Sequence, residues 1–479
     1  MSGDWLGVEG GRLALPRPDA EGVRAYKGIP YAAPPVGPLR WKPPQPVPAW
    51  EGVRTAHAFG PNSVQGVVFD DIDPTACGVS EDCLYLNVWT PAGPGTAQRL
   101  PVMVWIHGGG FAVGSGSEPR YHGARLAARG IVVVTLNHRL NALGFLAHPE
   151  LTAESEHGAS GNYGMLDLVA ALQWVKRNIG AFGGDPEAVT IAGESAGSIA
   201  VSALMASPLA KGLFARAIGQ SGAMFPSATR GLARLAEAEQ AGLAFMRKVG
   251  AGSLAGLRAA PAEAILAAAP GIGFWPIVDG WFLPKPPAEV FAAGAHRDVP
   301  LMAGWNADEG FNFTLLQGEN AGRPYAEIVS GIFGPRAGEA LQLYPGAERT
   351  AARELGGDLM IAHSTWAWIE AQKASGEAPL YRFVFRRAPL TPDGWFGERD
   401  SREAGAFHAG ELLYVFDTLD AFPWIIDEAD RALTEATTGY WVNFVKTGDP
   451  NGSGLPAWPS HRDEGAPVMH LDSPPSARP

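Results

Sequence analysis

Short apolar runs alternate with stretches of helical periodicity through most of this 479-residue chain. Leu84 to Trp89, Pro101 to His107 and Ile131 to Asn137 are strand-sized runs bounded by turn residues. Met165, Leu168, Leu172, Val175 and Ile179 recur at helical spacing and predict an amphipathic helix over 165–179. A strand over 188–193, a helix over 196–206 and the apolar stretch Phe214 to Ile218 follow. Val299 to Trp305 and Leu380 to Phe385 supply two more strands, and Glu428 to Thr447 a terminal helix stopped by Gly448-Asp449-Pro450. Strands alternating with helices imply an α/β fold: a central, mostly parallel twisted sheet with helices on both faces.

The regions between these elements differ in texture. Residues 1–60 carry Pro/Gly-rich turns and short β patterns, and 60–80 read as a polar loop. Residues 227–270 and 322–375 are largely helical and interrupt the core, which predicts helical insertions over the carboxyl edge of the sheet. The tail Ser473 to Pro479 is expected to fray. No internal repeat or low-complexity linker divides the chain, so residues 1–479 are expected to form one catalytic domain.

The strand at 188–193 runs into Gly193-Glu194-Ser195-Ala196-Gly197 and then a helix. A serine on such a strand-to-helix turn projects its hydroxyl above the sheet edge, and the flanking glycines permit the turn. The five-residue pattern alone is a weak signal in a chain with 61 glycines; the strand and helix around it single out Ser195 as a nucleophile.

A serine hydroxyl attacks an acyl carbon at neutral pH only if a base takes its proton. Of the histidines beyond Ser195, His363 sits in a helical pattern, His296 leads into a strand, and His461 and His470 lie past the last predicted core element. His408, in the Gly405-Ala406-Phe407-His408-Ala409-Gly410 loop after strand 380–385, is placed to reach the sheet edge. The carboxylate that orients it belongs after strand 299–305, where Asp308 and Glu309 are adjacent and chain logic leaves both open. Trp105-Ile106-His107-Gly108-Gly109-Gly110-Phe111 is an apolar strand ending in three glycines. Its backbone amides, with that of Ala196, would form an oxyanion hole from Gly109, Gly110 and Ala196.

Charge narrows the partners. Thirty-seven basic and 49 acidic residues give a formal charge of −12, which argues against nucleic acid or an anionic membrane surface. Met1-Ser2-Gly3-Asp4-Trp5 carries no leader pattern and no run is long enough to span a bilayer, so a cytoplasmic protein is expected. The only cysteines, Cys77 and Cys83, are expected to be free thiols. No metal or organic cofactor is expected, because no His-Glu-x-x-His or similar ligand spacing occurs.

With these pieces assembled, the chain resembles the type-B carboxylesterases, α/β-hydrolases that include para-nitrobenzyl esterases and cholinesterases. The resemblance rests on Lys27-Gly28-Ile29-Pro30-Tyr31-Ala32, Ser80-Glu81-Asp82-Cys83-Leu84-Tyr85-Leu86-Asn87 and Gly161-Asn162-Tyr163-Gly164-Met165-Leu166-Asp167. Ala181 to Pro186, Gly193 to Gly197, Asn306 to Gly310 and the segment around His408 extend it over nearly the whole length. It implies a serine carboxylesterase working through an acyl-enzyme on a Ser195-Glu309-His408 triad, with a small-molecule ester as substrate. It also implies ion pairs Arg40–Glu81 and Arg139–Asp167. Amide, carbamate or thioester hydrolysis on the same triad, or a non-catalytic binding relative, are the alternatives. The expected assembly is a monomer or small homo-oligomer.

Departures from the family pattern carry information. Ser63 stands where secreted relatives place the disulfide partner of the cysteine matching Cys83, so that bridge is expected to be missing. No tryptophan is evident to hold a quaternary ammonium group, which makes choline esters a poor fit. Phe111 is expected to line the substrate site, and Glu194 either to position water or to be a buried structural carboxylate. The stretch Pro270-Gly271-Ile272-Gly273 ahead of Phe274 replaces bulky aromatics, predicting an acyl pocket bounded by Ile272 and Phe274 and open to groups longer than acetyl.

Overall fold

The computed structural model describes residues 5–67, 76–93, 96–226 and 231–478. Met1 to Asp4, positions 68–75 of the predicted loop, 227–230 of the first helical insertion and Pro479 lie outside the described residues. Among the described residues ten strands form the central sheet: β1 (Arg24–Pro30), β2 (Tyr85–Thr90), β3 (Leu100–Ile106), β4 (Val132–Leu136), β5 (Gly184–Glu194), β6 (Arg216–Gln220), β7 (Leu301–Asn306), β8 (Leu380–Phe385), β9 (Val468–Leu471) and β10 (Ser476–Arg478). Their spatial order is β10-β9-β8-β7-β6-β5-β3-β4-β2-β1. All neighbours from β4 across to β9 pair in parallel, while β1, β2 and β10 join antiparallel at the two edges.

Parallel strands covered on both faces should read as continuous apolar runs, and β4 (Val-Val-Val-Thr-Leu) is buried at every position. One face is covered by α1 (Tyr163–Asn178), which buries Met165, Leu168, Leu172 and Val175, the predicted stripe. The eleven residues of α2 (Ala196–Ala206) are all buried, so this helix is apolar all round. The other face takes α3 (Glu428–Thr447), which opens on a capping box from Asp427 and Asp430 and ends at Gly448 in the left-handed region. The first helical insertion contains helices Leu235–Val249, Leu254–Ala259 and Ala262–Ala268. The second runs from Tyr325–Phe333 to His363–Ser375, with a π-helical turn at Asp358–Ala362.

Two expectations need correction. The tail does not fray: Ser476–Arg478 pairs antiparallel with Val468–Leu471, so order extends to Arg478. His470 accordingly lies on a core strand rather than beyond the core, and its Nδ1 accepts a hydrogen bond of 2.8 Å from Arg386 Nε. Runs of three or four residues are too short for alternation to stand out, which is why neither strand is evident in the sequence.

Both expected ion pairs are present. Arg139 grips Asp167 through Nη2–Oδ1 (2.7 Å) and Nε–Oδ2 (2.8 Å), with both side chains at most 3% exposed. Arg40 holds Glu81 and also donates to the carbonyls of Arg258 and Ala260 in the first helical insertion. Removing one partner of so buried a pair costs about 3–5 kcal/mol, because the other charge is stranded.

Cys83 is fully buried and free, and Cys77 is also free. Burial pushes the Cys83 thiol up to about 12, although a hydrogen bond with Ser63 opposes the rise. The 60s loop is tied down by amide side chains: Asn137 Nδ2 donates to the Pro61 carbonyl, Asn141 Nδ2 to that of Val64, and Gln65 exchanges two hydrogen bonds with Gly114.

Candidate active site

The carboxyl ends of β3, β5, β7 and β8 face one rim, and the loops that leave them carry the candidate residues. β5 ends at Glu194 and α2 begins at Ala196, leaving Ser195 alone in the turn at φ 54° and ψ −121°. A non-glycine residue there is strained by roughly 1–3 kcal/mol, and the surrounding structure must hold it. Ser195 N–H donates to the Gln220 carbonyl (2.8 Å), and its own carbonyl accepts from Ile199 (3.0 Å). A Cβ on Gly197 would lie 2.0 Å from the Ile106 carbonyl oxygen, so only glycine lets the helix start this close to β3.

His408 and Glu309 meet as expected. His408 Nδ1 lies 2.6 Å from Glu309 Oε2, and Glu309 Oε1 accepts from the Asn306 amide at 2.9 Å. Asp308 turns the other way: its Oδ2 accepts from the Ala406 amide (2.8 Å) and fastens the loop that carries the histidine. Behind Glu309, Glu411 accepts from Asn306 Nδ2 (2.6 Å) and Gln220 Nε2 (2.8 Å), and Trp441 Nε1 donates to Gln220 (3.0 Å). Phe313 packs edge-on against the imidazole, centroids 4.8 Å apart.

The other imidazole nitrogen, Nε2, lies 3.1 Å from Glu194 Oε1, one residue before the serine. Among the described residues the Ser195 hydroxyl has no hydrogen-bond partner. Burial pushes the Glu194 carboxyl up to about 8, opposed by the neighbouring His408. Burial works against the protonated His408 imidazole, yet the Glu194 and Glu309 carboxylates override it and hold this group up, to about 10. The two titrate together: a proton on Glu194 removes part of the field that raises His408.

The glycine loop follows β3. Its tight turn is closed by the amides of Ala112 and Val113 on the Gly109 carbonyl (3.0 and 3.1 Å). Gly109 has φ 100°, and a Cβ there would lie 2.2 Å from the Val113 carbonyl oxygen. Ala196 is the first residue of α2, so its N–H is one of the donors a helix leaves unpaired at its start. Gly109, Gly110, Glu194, Ser195 and His408 all line one cavity of about 440 Å³.

The remaining predicted site residues are placed differently. Phe111 is 1% exposed and does not line this cavity. It packs edge-on behind Trp275 (5.1 Å) and Phe145 (5.2 Å), so Trp275 forms the wall that Phe111 was expected to form. Ile272 and Phe274 line a second, apolar cavity of about 370 Å³, which shares only Ile199 and Trp275 with the first. Met360 and Ile361, from the π-helical turn, also line the cavity that holds Ser195 and His408. Nothing local in the sequence marks them, since a π turn breaks the 3.6-residue repeat. Trp275, by contrast, lies beside the Phe274 that the sequence does single out.

Among the described residues no cluster of three or more His, Cys, Asp or Glu side chains is placed to hold a metal ion, and no helix is long and apolar enough to cross a membrane.

Comparison with known proteins agrees with this architecture. The sequence profile of the carboxylesterase family matches residues 7–330 and 338–478. A fumonisin B1 esterase of Sphingopyxis macrogoltabida is 38% identical over 461 residues, covering 92% of this chain and 82% of its own. A para-nitrobenzyl esterase of Bacillus subtilis is 37% identical over 478 residues, covering 94% and 92%. The solved structure of a Geobacillus stearothermophilus carboxylesterase superposes with a TM-score of 0.86 at 35% identity, over 99% of this chain and 98% of that one. The chain therefore belongs to the carboxylesterase family and is a carboxylic ester hydrolase of the α/β fold.

Proposed function

We propose that the protein cleaves carboxylic esters through an acyl-enzyme on Ser195, with His408 as general base and then general acid and Glu309 as its orienting carboxylate. The observation that carries this reading is the convergence of the serine turn, the imidazole and the glycine loop on one cavity. Ser195 Oγ attacks the acyl carbon while His408 Nε2 takes its proton, and the Gly109, Gly110 and Ala196 amides receive the negative charge developing on oxygen. His408 then protonates the departing alcohol, and water activated by the same imidazole releases the acid. For the first transfer, Nε2 exchanges its Glu194 contact for the neighbouring serine hydroxyl, a tightening that substrate binding commonly brings. Treating the enzyme with a fluorophosphonate and mapping the adduct by peptide mass spectrometry tests this. Stoichiometric label on Ser195 is expected; a protein that stays unlabelled is no serine hydrolase.

Glu194 sets the pH response in this scheme. The base must be neutral to act, so activity rises as the His408–Glu194 pair loses its protons. Glu194→Gln removes one carboxylate that raises the imidazole. The acid limb of kcat/KM against pH should then move down by roughly one unit. An unmoved limb would mean that Glu194 exerts no field on the base.

The cavity also separates the two halves of a substrate. The leaving alcohol must lie within reach of His408, on the Phe313 side, which leaves the Trp275–Ile199 wall to the acyl group. Behind that wall is the apolar cavity of Ile272 and Phe274. Trp275→Ala should join the two spaces and raise kcat/KM for p-nitrophenyl decanoate relative to the butyrate by about tenfold, the gain from burying about two of the additional methylenes at about 0.8 kcal/mol each. A ratio that stays constant would place the acyl group elsewhere.

A further inference from the structure

A third cavity, about 590 Å³, lies between the 38–45 loop, the 151–166 segment and residues 279–281, and it shares no lining residue with the catalytic cavity. Its size is that of a small-molecule site. Trp41, Leu151 and Tyr163 are nearly inaccessible and form an apolar floor. At the lip, His157 stacks on Trp281 with ring centroids 3.8 Å apart and planes 18° from parallel.

The polar groups on this surface are predominantly acceptors. One cationic side chain, Lys42, faces three carboxylates, Glu154, Glu156 and Asp279. Lys42 is already engaged by Glu154 at 2.9 Å, and Glu154 also pairs with Arg258. Asp279 is 5% exposed, and its Oδ1 accepts from the backbone amides of Trp281 (3.1 Å) and Leu283 (2.9 Å). Among the described residues no cationic side chain pairs with it. Burial raises its carboxyl, and hydrogen bonds from the Leu283, Trp281 and Phe282 amides and the Asn162 side chain oppose the rise. Tyr163 is 4% exposed, and among the described residues its hydroxyl has no hydrogen-bond partner.

From the juxtaposition of Asp279, the Tyr163 hydroxyl and the Trp281 ring we infer that this cleft binds a small aromatic ammonium ion, at a site separate from the catalytic cavity. The ammonium donates to the Asp279 carboxylate and the Tyr163 oxygen, and the aryl group lies on the apolar floor beside the Trp281–His157 stack. A desolvated carboxylate that gains a cation recovers part of its burial cost, and aromatic faces add to the attraction. An anionic ligand of the same shape meets an excess of carboxylates and is refused. This inference is independent of the proposed triad chemistry.

The test compares three near-isosteric probes, phenethylammonium, 2-phenylethanol and phenylacetate, by calorimetry at pH 7. Hydrogen exchange read by mass spectrometry locates the site. Phenethylammonium should bind saturably, the alcohol at least fivefold more weakly, and phenylacetate not at all. Exchange should slow in peptides covering 154–163 and 279–283 but not in those covering 108–110 or 406–410. Trp281→Ala should weaken phenethylammonium at least tenfold, and Tyr163→Phe, which keeps the ring and with it the packing, about threefold. Equal binding of phenylacetate, protection confined to the catalytic peptides, or undiminished affinity in Trp281→Ala would each overturn the inference.

Discussion

Ser195→Ala is expected to lower kcat/KM for p-nitrophenyl butyrate by at least about 10⁴-fold while leaving the thermal transition within a few degrees of the wild type. Removal of a serine nucleophile takes away the covalent route and leaves only the contribution of the oxyanion donors and of binding. The fold should be indifferent, since alanine retains the Cβ and the turn is held by backbone hydrogen bonds from Ser195 to Gln220 and from Ile199 to Ser195. KM should change little, because the hydroxyl contributes little to ground-state binding. Turnover within tenfold of the wild type would remove Ser195 from the mechanism and with it the acyl-enzyme.

Glu309→Gln carries the next largest effect, a loss of about 10³–10⁴-fold in kcat. In the proposed mechanism the carboxylate 2.6 Å from His408 Nδ1 holds a proton on that nitrogen, so that the neutral ring accepts at Nε2. An amide presenting its NH₂ there would favour the opposite tautomer, with the proton on Nε2, and the ring could not act as base. Steady-state kinetics on both carboxylate variants decides the assignment. Asp308→Asn should cost less than tenfold, because Asp308 serves the His408 loop through the Ala406 amide and does not touch the ring. A larger loss in Asp308→Asn than in Glu309→Gln would reverse the two roles.

The parts of the site that lie on regular elements were legible in the chain. A buried strand, a glycine-flanked serine and a fully apolar helix follow one another without a gap, and the three glycines after Ile106 end a strand beside them in the sheet. Adjacent carboxylates at 308 and 309 could not be separated by pattern, since which one turns inward depends on the short helical turn at Glu309–Phe311. The family resemblance selected Glu309, the carboxylate that lies 2.6 Å from His408 Nδ1. The contact of Nε2 with Glu194 was not legible at all: it is a matter of side-chain rotation between a strand end and a loop more than two hundred residues apart. Phe111 was misplaced because its left-handed backbone, φ 58°, carries the ring away from the cavity toward Phe145 and His138. The terminal strands were missed for their length, and Met360 and Ile361 because they reach the cavity from a distant insertion.

The pairing of Cys83 with a serine has a practical side. Because the 60s loop is fastened by amides from Asn137, Asn141 and Gln65 rather than by a covalent staple, dithiothreitol finds no bond there to cut. Oxidants find Cys83 inaccessible and Cys77 a half-buried free thiol. The attachment of that loop is thus indifferent to redox poise and yields only to agents that loosen the fold itself, heat and denaturant among them.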